Sequence, residues 1–172
     1  VNIKVILIGS PLIYYLLYQY DEDFRDLFKV RADFDVEMEN TRQQTRRYAT
    51  FVAARCKEDN LRPFHRTGVA KIVEYGSRLT EDQKKLSTRF KEISDLISEA
   101  SFWAQQDNNS SVKAEHVNKA LEQKIYRSNM IERKIQEMIE DGTILINTDG
   151  AVVGQVNGIS ILALGDYMFG RP

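Results

Sequence analysis

The sequence predicts a mainly helical fold with a short strand region at its amino end and a β-hairpin region at its carboxyl end. Three observations carry this. Over residues 86–104, Leu86, Phe90, Ile93, Ile97, Ala100 and Ala104 recur at three and four residues, which gives a helix one apolar face. Residues 1–8, VNIKVILI, are a continuous β-branched run that stops at Gly9-Ser10-Pro11. Residues 143–162 carry strand-type runs around a Thr148-Asp149-Gly150 turn, a hairpin signal.

Unbroken apolarity in residues 1–8 fits a strand buried on both faces, whose sheet partners would precede Val1. Pro11 suits the first turn of a helix with Leu12, Ile13, Leu16, Leu17 and Tyr20 on its apolar face. Tyr14, Tyr15, Tyr18 and Tyr20 read as core and boundary residues in preference to an aromatic platform for bases. Asp21-Glu22-Asp23 opens a helical turn over residues 24–28, and residues 29–36, KVRADFDV, alternate as a short strand. Asn40, with Gln43 three positions on, gives a capping-box pattern for a helix that buries Tyr48, Phe51, Val52 and Cys56. Cys56 is thereby a small core residue and not a nucleophile. Pro63 breaks this helix, and the next spans residues 66–79 through Val69, Ile72 and Val73, with His65 as a polar starting residue and Gly76-Ser77 marking its weakening end. Residues 105–111, QQDNNSS, read as an exposed loop. Val117, Leu121, Ile125, Ile131, Ile135, Met138 and Ile139 then mark one long helix or two abutting ones. His116 stands at the start as a solvated or capping residue, and Asp141-Gly142 form the stop.

Composition narrows the function classes. With 24 basic and 25 acidic residues the net charge is −1, which argues against a strong nucleic-acid field. One cysteine excludes an intramolecular disulfide, and His65 and His116 alone make no metal cluster, so a reducing, cytoplasmic setting fits best. The most apolar stretch, residues 12–17, is too short to span a bilayer. A start on Val1 inside an apolar run reads as a segment cut from a longer chain. No GxxxxGK[ST] loop, GxSxG elbow or HExxH pair occurs, and Asp21-Glu22 follows helix-type residues and not a strand, unlike a magnesium-binding acidic pair. Gly154, Gly158, Gly165 and Gly170 fall in predicted turns.

Arg89 is the exception to the pattern of its own helix. It sits on the edge of the apolar stripe, where a permanent charge needs a carboxylate, a carbonyl or a phosphate. Residue chemistry alone leaves two partners open, an ion pair with a nearby acid and a bound phosphate.

The chain resembles an internal portion of the Lon family of ATP-dependent proteases, in the archaeal-type and Lon-related bacterial branch that fuses an AAA+ ATPase to a Ser-Lys protease. The specific matches are KLSTRFKEISDLISEA at residues 85–100 and VGQVNGISILALGDYMFGRP at residues 153–172. The resemblance implies an AAA+ helical lid in which Arg89 is the sensor-2 arginine that contacts nucleotide phosphates. It also implies that Ser10 occupies the sensor-1 position, where many AAA+ proteins carry asparagine, and that the arginine finger falls near Lys29 or Arg31, with lysine at the closest match. Three regions follow: residues 1–37 as the end of the AAA+ core, 38–140 as the lid and connecting helix, and 141–172 as the opening of the proteolytic domain. ATP and Mg2+ are the implied cofactors, proteins the substrates, and a hexameric ring the assembly; a membrane partner is not implied. The phosphate loop and the Ser-Lys dyad would lie outside these residues, so the chain alone is expected to be inactive.

Two further readings stand beside this one. A non-enzymatic helical adaptor would need an exposed apolar groove. A helix-turn-helix DNA binder over residues 73–97 would place Glu92, Asp95 and Glu99 on its recognition helix, which disfavours it.

Overall fold

Ile93, Ile97, Ala100 and Ala104 form the buried stripe of α5 (Phe90–Gln106), and α3 (Arg42–Glu58), α4 (Arg66–Arg78) and α6 (Ala114–Ser128) pack onto it. Tyr48, Val52 and Cys56 come to this core from α3, Ile72 and Tyr75 from α4, and Val117 and Ala120 from α6. The computed structural model describes residues 3–147, 149–154, 156–164 and 167–171. Among them lie seven α-helices and two antiparallel strand pairs, so the fold is mainly helical as expected. No helix among the described residues is long and apolar enough to cross a membrane.

The chain divides into two units, Val1–Asp35 and Val36–Pro172. In the first, α1 (Pro11–Tyr20) begins with Pro11 at its first position, and the Ser10 hydroxyl accepts the Ile13 N–H at 3.4 Å. The Asp21 carboxylate caps α2 (Glu22–Leu27), accepting the Phe24 N–H at 3.1 Å. Two strand expectations fail in this unit. Residues 3–8 are not a strand, have no ladder partner among the described residues and leave Ile6 and Ile8 exposed; Val1 itself lies outside the described residues. Residues 29–35 are irregular. Nor do the tyrosines form a core. Tyr15, Tyr18 and Tyr20 are exposed, and Phe24 is the buried residue of α2, set edge-on to Tyr14 at 5.6 Å.

The second unit opens on β1 (Glu37–Glu39), which pairs with β2 (Lys85–Ser87) in the register Glu37↔Ser87, Met38↔Leu86, Glu39↔Lys85. Lys85 ties both flanking acids of β1, with Nζ 3.3 Å from Glu37 and 2.9 Å from Glu39. The helix expected to begin at Leu86 therefore begins at Phe90. Cross-strand pairing captures residues 85–87, and Leu86 reaches the core from a strand, at a spacing from Phe90 that mimics one helical turn. The α3 cap is Thr41 in place of Asn40. Its hydroxyl accepts the Gln44 N–H at 3.3 Å, while the Asn40 amide donates to the Gln83 carbonyl at 3.0 Å and spans to the β2 approach. His65 caps α4 as expected, Nδ1 accepting the Thr67 N–H. His116 caps α6 through Nδ1, which accepts the Lys113 N–H at 2.9 Å, but it is 1% exposed and not solvated. Its Nε2 lies 3.2 Å from the Asn109 amide nitrogen.

Gly76 is not a helix end. It lies buried inside α4, where a Cβ would come within 2.7 Å of the Tyr48 hydroxyl oxygen and 2.9 Å of its ring. The missing side chain is what lets α4 lie on the Tyr48 phenol.

Beyond α6, the apolar run divides into two abutting helices, the second being α7 (Met130–Glu140), which buries none of its residues. Gly142, at φ +78°, turns the chain out of it. Of the hairpin expected about residues 148–150, Thr148 lies outside the described residues, and the described residues of the flanking segments up to Ile159 carry no strand. The hairpin is instead β3 (Ser160–Leu164) with β4 (Tyr167–Arg171), in the register Leu162↔Phe169; Gly165, between the strands, is outside the described residues and Gly170 is a strand residue. The SILAL run finds a partner of matching length there, and Tyr167 and Arg171 both bond to Glu132 of α7, the latter at 2.8 Å.

Two measurements check this packing. Gly76→Ala forces the Tyr48 ring or α4 to move and is expected to lower stability by about 1–3 kcal/mol, seen as a reduced urea midpoint at unchanged slope. An unchanged midpoint would show that the contact is not tight. Burial, with Asp59 adding to it, raises the pKa of the Cys56 thiol, so below that pKa less thiolate is present than in an ordinary cysteine. Alkylation of the native chain at about pH 8 is expected to be at least about tenfold slower than in urea. Equal rates would contradict the buried placement.

Candidate functional site

Arg89 stands at the corner where β2 turns into α5, and the backbone on both sides of it is pinned. The Thr88 N–H donates to the Val36 carbonyl at 2.9 Å, the Phe90 N–H to the Thr88 carbonyl at 2.8 Å, and the Arg89 N–H to the Ser87 hydroxyl at 3.1 Å. The Phe90 ring packs on Phe51 at 4.7 Å and on Tyr48 at 6.1 Å, holding the first residue of α5 against α3. Arg89 thus occupies the cap position of α5, with φ −74° and ψ 67°, and not the edge of a mid-helix stripe.

The side chain is as free as the backbone is fixed. It is 56% exposed, and its Nη1 lies 3.6 Å from Glu92, one turn into the helix. An exposed pair at that distance contributes about 0–1 kcal/mol, so Glu92 holds the arginine weakly. Arginine has only donors, and α5 has no side-chain cap hydrogen bond. The partial positive charge of the first-turn amides therefore adds to that of the guanidinium. A compact anion with several oxygens is the ligand this corner suits, because a guanidinium fork can grip two of them at once.

The other site residues from the sequence reading, Ser10, Lys29 and Arg31, belong to the first unit. The Ser10 hydroxyl is engaged as the α1 cap. Arg31 lies over the Tyr14 ring at 4.4 Å and the Tyr15 ring at 4.9 Å, donates to the Tyr15 hydroxyl at 3.0 Å and pairs with Asp33 at 2.6 Å. The Tyr15 hydroxyl and the Asp33 carboxylate hold its pKa above the ordinary guanidinium value. Lys29 is exposed. The structure therefore groups Arg31 with the amino half of α1, as an aromatic-bound cation, and leaves Lys29 the freer of the two.

Sequence reasoning missed the contacts that shape the corner and carry it onward. The Tyr48 hydroxyl donates to the Ser87 carbonyl, and Arg127 grips Glu99 with two bonds of 2.8 Å each, joining α6 to α5. These partners lie 39 and 28 positions apart, beyond the reach of any local pattern. A polar hydroxyl on the apolar stripe of α3 was the one available signal for the first.

Residues 63–127, which include Arg89, match the family model described as the AAA+ ATPase lid domain of archaeal LonB, and residues 1–35 match that of the LonB-like AAA domain. The archaeal Lon protease of Archaeoglobus fulgidus is 28% identical over 133 residues, an alignment that covers 73% of this chain and 20% of the relative. The chain spans about one fifth of the length of that curated relative. The first match runs from just before α4 through β2 and α5 to the end of α6, and the second falls on the unit ending at Asp35; in these residues the chain is similar to the AAA+ lid domain of archaeal LonB and to the LonB-like AAA domain.

Proposed function

We propose that this chain is the nucleotide-responsive part of a Lon-type ATP-dependent serine protease, running from the end of the AAA+ core through the lid to the opening of the proteolytic domain. Arg89 acts as the sensor that binds ATP phosphates and couples lid movement to hydrolysis. The observation that carries this reading is the contrast at the α5 corner between a pinned backbone and an exposed Arg89 side chain whose ion-pair partner among the described residues is Glu92. When ATP is bound, its γ-phosphate supplies the bond that is broken. Arg89 exchanges Glu92 for phosphate oxygens, neutralises their charge, and draws the amino end of α5 with it.

Supporting roles follow the family pattern. Ser10 sits at the position that orients the attacking water, and Lys29 is a better candidate than Arg31 for reaching a neighbouring subunit's nucleotide, since Arg31 is held on tyrosine rings and Asp33. Among the described residues no three His, Cys, Asp or Glu side chains group to hold a metal ion, so no step is assigned to Mg2+ within this chain. Protein substrates, a hexameric ring, a Ser-Lys dyad outside these residues and a cytoplasmic setting belong to the same proposal.

A second reading, a helical adaptor without enzymatic role, draws on one observation. Ala49, Val52, Ala53, Phe64 and Val69 line an apolar cleft of about 360 Å³ between α3 and the start of α4.

The deciding experiment compares the full-length polypeptide with its Arg89→Ala form for ATP hydrolysis and for ATP-dependent casein degradation. The sensor reading predicts that both fall by about tenfold or more with the unfolding midpoint unchanged. Unchanged activities in the variant would reduce Arg89 to a surface ion-pair residue, and absence of both activities in the unsubstituted protein would favour the adaptor.

A further inference from the structure

We propose that Tyr48 and Ser87 are positioning residues for Arg89, a relay that sets where the guanidinium stands, and this deepens the sensor reading and rests on it. The relay has two links. The Tyr48 hydroxyl donates to the Ser87 carbonyl, and the Ser87 hydroxyl accepts the Arg89 N–H at 3.1 Å. Both residues are 1% exposed; the Tyr48 link is buried and the link to the Arg89 N–H is partly buried.

Three features separate this arrangement from ordinary core packing. A phenylalanine would fill the same volume as Tyr48 without bringing a hydroxyl into an apolar core, where each polar group must find a partner. The hydroxyl stays protonated, since burial pushes its pKa up to about 12, so it acts as a donor throughout the neutral range. Its access to β2 requires Gly76, whose absent Cβ would otherwise lie 2.7 Å from the hydroxyl oxygen. One element, α4, thus gives up a side chain so that a second, α3, can reach the main chain of a third, two residues before Arg89.

The hydrogen bonds from Val36 and Ser87 act on the backbone of the corner, whereas among the described residues the guanidinium pairs with Glu92. A relay of this form fixes the root of the sensor while leaving its tip free to change partner. Loosening the root should weaken nucleotide-dependent work without altering the chemistry of the tip.

The test is a double-mutant cycle on the ATPase activity of the full-length polypeptide, with Tyr48→Phe and Ser87→Ala each made in the Arg89 and the Arg89→Ala backgrounds. With Arg89 present, each relay substitution is expected to lower kcat/KM for ATP by about fivefold, mainly through KM. With Arg89→Ala, the same substitutions should change it by less than about twofold, because there is no guanidinium left to position. Ser87→Ala removes only a hydroxyl and keeps the test open should Tyr48→Phe impair folding. Equal losses in both backgrounds would make Tyr48 and Ser87 purely structural and overturn the relay while leaving the sensor intact. An Arg89→Ala form as active as the unsubstituted protein would remove the sensor and the relay together.

Discussion

A buried phenol must find an acceptor, and Tyr48 finds one in the main chain of β2. Left unsatisfied, a hydroxyl in that position would cost about 1–3 kcal/mol. Satisfying it brings Ser87 over α3, which seats Leu86 in the core and leaves Lys85 at the edge between two acids of β1. The chain then has to change direction within Thr88 and Arg89 before Phe90 closes on Phe51. α4 can follow this arrangement only as far as its nearest side chain permits, and Gly76 is the residue that permits it. The contact thus ties α3 to the strand end from which the chain turns into α5.

The two units are held by different physics. The unit from Val36 onward buries aliphatic and aromatic side chains from four helices and a strand, each fully buried one contributing roughly 1.5–3 kcal/mol. The unit ending at Asp35 buries Phe24 and otherwise relies on cations over tyrosine faces, Arg25 at 4.5 Å from Tyr18 and Arg31 at 4.4 Å from Tyr14. Such contacts contribute about 0.5–1 kcal/mol each where exposed. They suffice to orient short helices, and they also commit the arginines involved. This is the physical ground for separating Lys29 from Arg31, two neighbouring basic residues that composition treats alike.

What could be read from the sequence follows this division. Helices with local signals were legible: Pro11 after Ser10, His65 before α4, and the periodic stripes of α3 and α6 lie where capping and spacing put them. The strands were misplaced because pairing is not local. VNIKVILI has the composition of a buried strand, yet composition cannot supply a neighbour, and Asp149-Gly150 offers a turn whose flanks Gly154 and Gly158 weaken. Arg89 was legible as an oddity and misread in place. Leu86 and Phe90 are four apart whether a helix or a strand-to-helix corner joins them, so periodicity extended α5 by one turn too many. The contacts that define the corner, from Tyr48 and Val36, come from distant parts of the chain and leave no spacing to detect.

That misplacement changes what the arginine can do. In mid-helix its backbone would be one unit of a continuous ladder, and a pull on its side chain would be shared along the whole element. At the cap it is the last fixed point before a 17-residue helix begins, and a force on the guanidinium enters α5 at its end. α5 is in turn locked to α6 by the Glu99–Arg127 fork, and Glu132 of α7 holds the Tyr167 and Arg171 side chains of the terminal hairpin. A weakly held charge at one end and firm, bidentate or paired contacts beyond it form the order of strengths a sensor requires. The first bond must yield to the ligand, and the later ones must not yield to the motion. If a phosphate replaces Glu92 as the partner of Arg89, the change in position has a rigid helix to act through, which a side chain anchored at both root and tip would lack.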